Sequence, residues 1–226
     1  MIRRVKMKLS NDTVDILKNF STINQNLLIK EGTRVRTIST MKNILGEADI
    51  VESFPKGFGI YDLNEFLGVL TLANDPEIEF NNDSYLTIRG GHSKVQYFFS
   101  DPSILVTPPE TFNAPDTDVK FEVTKDAMSK VTKASAVMQL PDLVFTGTSQ
   151  AVTMAVTDLK NTTSNQFEES WEHDGDKAFQ FNYKIENLKM IPGNYEVSVS
   201  SEALVSHWKN KSKQIDYYIA LEAPSD

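Results

Sequence analysis

The sequence predicts an α+β protein built from two tandem domains of one plan, and three observations carry that prediction. The first half runs through an amphipathic helix, strand hairpins, a second short helix and further strands, and the same order returns in the second half. Between them lies a stretch, residues 101–118, that holds Pro102, Pro108, Pro109 and Pro115 and few helix formers. Proline fixes φ and removes a backbone donor, so this stretch reads as an extended connector. The chain has 226 residues, and two domains of about 100 residues each are a natural division. The expected segments are an extension at residues 1–6, a first domain at 7–100, the connector at 101–118 and a second domain at 119–226.

In the first half, Ser10, Asn11, Asp12 and Thr13 form a cluster of N-cap residues, and Ile16, Leu17, Phe20 and Ile23 follow at helical spacing. A helix of about three turns is expected there, with Asp15, Lys18 and Thr22 on its polar side. Runs at 34–40 and 45–51 read as strands, punctuated by Gly32, Gly46 and Pro55-Lys56-Gly57. Asp62 and Glu65 have capping-box spacing, and Leu63, Phe66, Leu67 and Leu70 form a stripe behind them, which predicts a second helix. Strands are expected at 77–80, 85–89 and 94–99, the last two joined across Gly90-Gly91.

In the second half, residues 119–123 read as a strand. Ala127, Val131, Ala134 and Met138 then make a helical stripe with Lys130 and Lys133 on the outer side. Strands are expected at 143–148 and 152–159, and the polar stretch 161–175 reads as a loop. A strand at 179–183 leads into a short helix with Ile185, Leu188 and Ile191 on one face, stopped by Pro192-Gly193. Strands at 195–200, 204–209 and 215–222 finish the chain, the last two joined by a turn at Asn210-Lys211-Ser212.

Composition excludes several classes. Hydrophobic residues make up 40% and charged residues 24%, the balance of a soluble globular protein rather than a disordered or fibrous one. No run approaches the roughly 20 apolar residues of a membrane span, so no membrane partner is expected. The amino terminus, Met1-Ile2-Arg3-Arg4-Val5-Lys6, is basic without the apolar core of an export signal, and a cytoplasmic location is expected. With no cysteine, the chain has no disulfide, thiolate metal site or cysteine nucleophile. The net charge of −8 argues against broad affinity for nucleic acid, yet a local basic face on an acidic protein still attracts phosphates.

No arrangement of residues points to catalysis, a metal or a cofactor. A P-loop pattern is missing, and Gly90-Gly91-His92-Ser93-Lys94 falls between two expected strands rather than before a helix. His92, His173 and His207 are far apart in sequence. Ser170, His173 and Asp174 share one polar stretch with no stiff element to hold them.

Several stretches resemble the sliding clamp, or DNA polymerase processivity factor, of T-even-type phages. They are Met7-Lys8-Leu9-Ser10 with Leu17-Lys18-Asn19-Phe20, the run from Ile60 through Tyr61-Asp62-Leu63-Asn64-Glu65-Phe66-Leu67 to Gly68, Asp101-Pro102-Ser103, Pro192-Gly193-Asn194-Tyr195, and Ala220-Leu221-Glu222-Ala223. Their order and spacing match across nearly the whole chain. Departures fall at residues 1–6, in 115–177 and in the stretch 161–175.

The resemblance implies two clamp domains per subunit and a homotrimeric ring on double-stranded DNA, with helices lining the hole and antiparallel sheets outside. It also implies a DNA polymerase partner, an ATP-driven clamp loader and a part in late transcription. A protein that slides needs diffuse attraction to phosphates rather than base contacts. Lys18, Lys130, Lys133, Lys184 and Lys189 are the candidates to face DNA. By the same resemblance, Ile104, Leu105, Val106, Leu221, Ala223 and Pro224 are the candidates to bind partner tails. The rival reading from another class is a β-rich structural protein of a virus particle.

Overall fold

The computed structural model describes residues 5–175 and 177–223. It divides into two compact units, Met1–Glu110 and Thr111–Asp226, with the break inside the expected connector. Unit 1 contains β1 (Val5–Met7), α1 (Asn11–Ile23), β2 (Leu27–Ile29), β3 (Gly32–Ile38), β4 (Ile44–Phe54), β5 (Phe58–Ile60), α2 (Leu63–Thr71), β6 (Glu77–Phe80), β7 (Tyr85–Gly90) and β8 (Ser93–Phe98). Every strand pair is antiparallel: β1, β6, β7 and β8 form one sheet in that order, β3 pairs with β4, and β2 pairs with β5. Val5 and Lys6, which the sequence reading assigned to an extension, are strand residues. Val5 lies opposite Phe80, and Lys6 pairs with Glu77 at 2.6 Å and Glu79 at 3.1 Å.

α1 begins where Ser10 Oγ accepts a hydrogen bond from the Thr13 N–H at 3.2 Å. Glu52, from β4, adds a second cap from a distance: its carboxylate accepts from the Ser10 N–H and from the Thr13 hydroxyl. Burial opposes ionisation of Glu52, but these bonds hold its pKa below the usual carboxylate value. Ile16, Leu17, Phe20 and Ile23 are buried. Phe20 packs on Gly46 of β4, where an added Cβ would lie 3.0 Å from the ring, so a larger residue there would push the helix off the sheet.

The helix ends at Asn24, whose side-chain amide donates to the carbonyls of Ile38 at 2.9 Å and Val106 at 3.0 Å. Asn26 accepts from the Val106 N–H at 3.1 Å, and Arg36 donates to the Pro109 carbonyl at 3.0 Å. The connector as far as Glu110 is thus strapped to unit 1. α2 is capped by Asp62, which accepts from the N–H groups of Asn64 and Glu65, and it packs on α1.

Unit 2 contains β9 (Val119–Val123), α3 (Lys125–Met138), β10 (Asp142–Gly147), β11 (Ala151–Thr157), β12 (Phe167–Glu172), β13 (Phe179–Lys184), β14 (Tyr195–Ser200), β15 (Val205–Asn210) and β16 (Ile215–Ala220). One antiparallel sheet runs β12-β11-β10-β13, and a second antiparallel run is β9-β14-β15-β16. Trp208 is fully buried, with ring centroids of Phe145, Tyr183 and Tyr195 within 5.9–6.1 Å. Its indole N–H donates to Ser206 Oγ at 2.9 Å, so the large apolar side chain carries no unmet donor into the core.

Two expectations need correction here. The stretch 161–175 contains β12, whose alternation escaped notice because Glu169 shares the half-buried side with Phe167 and Trp171. The helix expected around Ile185, Leu188 and Ile191 is a single 3-10 turn, Ile185–Asn187. The Ile191 N–H donates to Tyr217 Oη at 3.1 Å and its carbonyl accepts from the Tyr195 hydroxyl, so its backbone is bonded to the core side chains. Few residues remain before Pro192, and a short helix does not recover the cost of nucleation.

Asp118, at the entry to β9, accepts from Lys177 and from the Ser201 N–H at 2.8 Å. These bonds lower its pKa to about 2, so the stabilisation is fully present above the ordinary carboxylate value of about 3.9 and lost as pH falls toward the folded value. Both partners are substantially exposed, and about 1 kcal/mol at pH 7 is expected after screening. Asp118→Asn should lower the urea midpoint at pH 7 with no change in m-value, and the gap from the parent should close as pH falls below about 4. A gap that persisted unchanged to low pH would show that the ion pair is not its source.

Candidate nucleic-acid interface

α3 is the most basic helix of the chain. It starts at Thr124, whose hydroxyl accepts from the Ala127 N–H at 3.2 Å, and stops at Gln139, which takes a left-handed φ of 55°. Ala127, Val131 and Ser135 are buried, and the helix packs on β11 and β12. This narrow stripe leaves Lys125, Asp126, Ser129, Lys130, Thr132, Lys133, Ala136 and Val137 exposed. The outward face therefore carries three lysines against one aspartate.

The lysines differ in their surroundings. Lys130 pairs with Asp126 at 3.0 Å, one turn away, and with Glu169 of β12 at 3.3 Å. Hydrogen bonding to Asp126 and then Glu169 raises its pKa, so it stays charged. Among the described residues, neither Lys125 nor Lys133 has a carboxylate partner. Lys125 was not singled out from the sequence, because it stands at the first position of the helix, before the stripe reveals which way the face turns.

The helices of unit 1 offer much less positive charge. Lys18 is exposed on α1 and lies 3.6 Å from Asp15, with Asp12 on the same exposed side. α2 shows Glu65 and no basic residue. Lys189 is exposed on the segment after the 3-10 turn.

Lys184 is occupied elsewhere. Its ammonium pairs with Asp142, which is 1% exposed and also accepts from the Leu159 N–H at 2.9 Å. Bonding to Asp142 raises the Lys184 pKa. The pair ties β13 to β10 and its role is structural.

The candidates for partner binding divide in the same way. Leu105 and Leu221 are buried, and the Leu221 N–H donates to the Leu204 carbonyl. Val106 is half-buried, with both backbone groups bonded to Asn24 and Asn26. Ile104 is 59% exposed and Ala223 is exposed, while Pro224 lies outside the described residues.

Edge strands supply another feature. β8 pairs only with β7 and β12 only with β11, so each leaves one side of its backbone without a described strand. Phe98 on β8 is 63% exposed, which the sequence concealed inside the run Tyr97-Phe98-Phe99. Lys94 stands exposed on β8, and Glu168 and Glu172 stand exposed on β12.

Among the described residues, no group of three or more histidine, aspartate or glutamate side chains is arranged to hold a metal. His207 stacks on Tyr218 and contacts Asp216 at 2.9 Å, and Ser170 bonds to Thr153 across the sheet. Among the described residues, no helix is long and apolar enough to cross a membrane.

A family model described as DNA polymerase processivity factor matches residues 10–107, and one described as gp45 sliding clamp, C terminal, matches residues 120–223. The sliding clamp of Vibrio phage KVP40 is 33% identical over 223 residues, covering 96% of this chain and all of the relative. The sliding clamp of Enterobacteria phage T4 is 30% identical over 229 residues, covering 97% of this chain and 98% of the relative. Among solved structures, the proliferating cellular nuclear antigen of Entamoeba histolytica matches with a TM-score of 0.71 at 11% identity, covering 97% of this chain and 98% of that one. The A. fulgidus protein of that name, solved with the C-terminal region of FEN-1 bound, matches with a TM-score of 0.73 at 10% identity, covering 99% of both. At such identities the structures speak for the fold.

The structural role of Lys184 has a measurable consequence. Lys184→Met leaves the buried Asp142 carboxylate short of its cation and should lower stability by about 2 kcal/mol. The readout is the urea midpoint at unchanged m-value. A midpoint equal to that of the parent would return Lys184 to the surface set.

Proposed function

Because the chain belongs to the sliding-clamp family of DNA polymerase processivity factors, a non-catalytic class, we propose that three copies close head to tail into a ring. The ring encircles duplex DNA without reading its sequence and tethers the replicative polymerase. The observation that carries this reading is the outward face of α3, where lysines stand on a rigid helix in an otherwise acidic protein. Lysines spread along a helix attract phosphates at every register and give no base readout, which is what sliding requires. In this chain Lys130 and Lys133 carry most of the attraction, with Lys125 beside them, Lys189 nearby and Lys18 a weaker contributor beside its aspartates.

Closure is assigned to the two edges. An exposed edge strand invites pairing with another chain, and a head-to-tail contact that joins two different surfaces closes into a ring when the rotation suits. We pair β8 of one copy with β12 of the next, so that Lys94 and Phe98 meet a strand bearing Glu168, Trp171 and Glu172.

A ring around DNA must be opened, so an ATP-driven clamp loader belongs to the reading, and the chain itself supplies no nucleotide-binding loop. The FEN-1 segment seen on the A. fulgidus protein supports docking of partner tails here too; the exposed apolar candidates are Ile104 in unit 1 and, separately, Ala223 in unit 2, with Pro224 next to Ala223 in sequence. Late-transcription factors are further candidate partners, and the work takes place on DNA in the cytoplasm of the host cell. The alternative of a virus-particle structural protein has no observation in its favour beside the family matches.

Light scattering over a concentration series tests the ring: a species of three times the subunit mass is expected, and Phe98→Glu should convert it to single subunits that remain folded. A persistent monomer, or a trimer indifferent to Phe98→Glu, would overturn the assembly or the edge assignment respectively. The DNA face has its own test. Lys130→Glu combined with Lys133→Glu should weaken retention on nicked circular DNA about tenfold or more at moderate salt, with the trimer mass unchanged. Retention equal to that of the parent would remove these two lysines from the interface.

A further inference from the structure

We propose that the tip of the β7–β8 hairpin is a charged latch, which seats in a groove of the next copy between β9 and the Glu172 end of β12. The inference rests on the ring reading, in which β8 of one copy lies beside β12 of the next. It adds a contact on which closure of the ring depends.

The hairpin is firmly held and its end is basic. Arg89 lies opposite Lys94 and Gly90 opposite Ser93, so the chain turns within Gly91 and His92. Gly91 takes a left-handed φ of 56°. At Gly90 an added Cβ would collide with the Asn74 carbonyl oxygen, so the base of the turn lies tight against the loop that follows α2. Arg89, His92 and Lys94 are all exposed. Arg89 pairs with Glu79 at 3.2 Å, whereas Lys94 makes no ion pair among the described residues. Two cations directly across a strand pair repel. An acidic surface beyond the tip would relieve that repulsion.

Such a surface exists on unit 2. The groove encloses about 490 Å³, and Trp171 and Glu172 of β12 line it together with Asp174, Glu122 of β9 and Glu196 of β14. Glu122 is already paired with Lys211 at 2.6 Å. Glu172, Asp174 and Glu196 make no ion pair among the described residues, and they outweigh Lys120, which also borders the groove. Trp171 adds an aromatic surface of the kind on which a cation rests.

The strands bring tip and groove together when they run antiparallel. β8 and β12 are both six residues long. Lys94, Gln96 and Phe98 share one exposed side of β8, and Glu168, Ser170 and Glu172 share one exposed side of β12. Antiparallel pairing sets the start of β8 beside the end of β12, so Lys94 meets Glu172 and the turn at Gly91 and His92 passes beyond it into the groove. Parallel pairing would set Phe98 beside Glu172 and carry the tip to Phe167, away from the groove.

The chain has no cysteine, so a pair introduced by mutation reports proximity without background. A disulfide needs Cα atoms within about 7 Å. His92→Cys with Asp174→Cys should therefore link subunits covalently under mild oxidation, read on a denaturing gel. His92→Cys with Gln166→Cys, at the other end of β12, should not. Lys94→Glu should raise the concentration at which trimers half-dissociate about tenfold or more, with circular dichroism unchanged. Adding Glu172→Lys restores opposite charges across the contact and should recover most of that loss.

A trimer that is not linked through positions 92 and 174, or that is linked through 92 and 166 instead, would overturn the latch and leave the ring standing. A trimer indifferent to Lys94→Glu would also overturn it, and would leave the groove to a basic peptide of another protein. Failure of the parent chain to form any trimer would count against the ring itself, and the latch would fall with it.

Discussion

The burial of three small positions on α3, Ala127, Val131 and Ser135, fixes where charge stands on the second half of this protein. A helix seated by so narrow a stripe shows most of its circumference, and here the exposed arc holds Lys125, Lys130 and Lys133. Larger residues in the stripe would lift α3 from β11 and β12 and tilt that arc. Nothing comparable happens on α1, whose stripe is wider and more apolar and whose exposed side carries Asp12 and Asp15 beside Lys18. Two helices in equivalent places thus differ both in how much of their surface they show and in the charge on it.

The second helical position separates the halves further. In unit 1, Asp62 caps α2 and the stripe behind it is long enough to hold a helix on α1. In unit 2, the corresponding stripe ends at Ile191, whose backbone is bonded to the buried tyrosines Tyr195 and Tyr217, and Pro192 follows. The bonds that engage the hydroxyl groups of Tyr195 and Tyr217 are thus also bonds that hold residue 191 out of a helix.

The sequence revealed what local chemistry dictates. α1 was legible because a capping residue, Ser10, precedes a stripe of helical period, α3 from its stripe alone, and β7 and β8 because Gly90-Gly91 marks a hairpin. The three-residue strands β2 and β5 are too short to show a period, and β12 hides its alternation by turning Glu169 inward. Lys130 and Lys133 followed from the stripe. Lys184 was misjudged because its partner, Asp142, lies 42 residues away in sequence, and no spacing rule reports a pair made across a sheet. Leu105 and Leu221 raised a related problem, since an apolar residue in a connector or tail reads alike whether it packs inward or waits for a partner.

Glu169 joins these threads. It sits on the half-buried side of β12, the strand proposed to meet the next subunit, and its carboxylate reaches Lys130 on α3. A lysine already shared between Asp126 and Glu169 offers a phosphate only the difference between two sets of partners, so each contact is weak and easily exchanged. The proposed ring would need no stronger grip, because encirclement would prevent escape and attraction would have only to keep the duplex near the helices. Tight individual contacts would oppose movement between registers. Carboxylates beside the lysines are on this account part of how the face works, and the net charge of −8 is compatible with the proposed role on DNA.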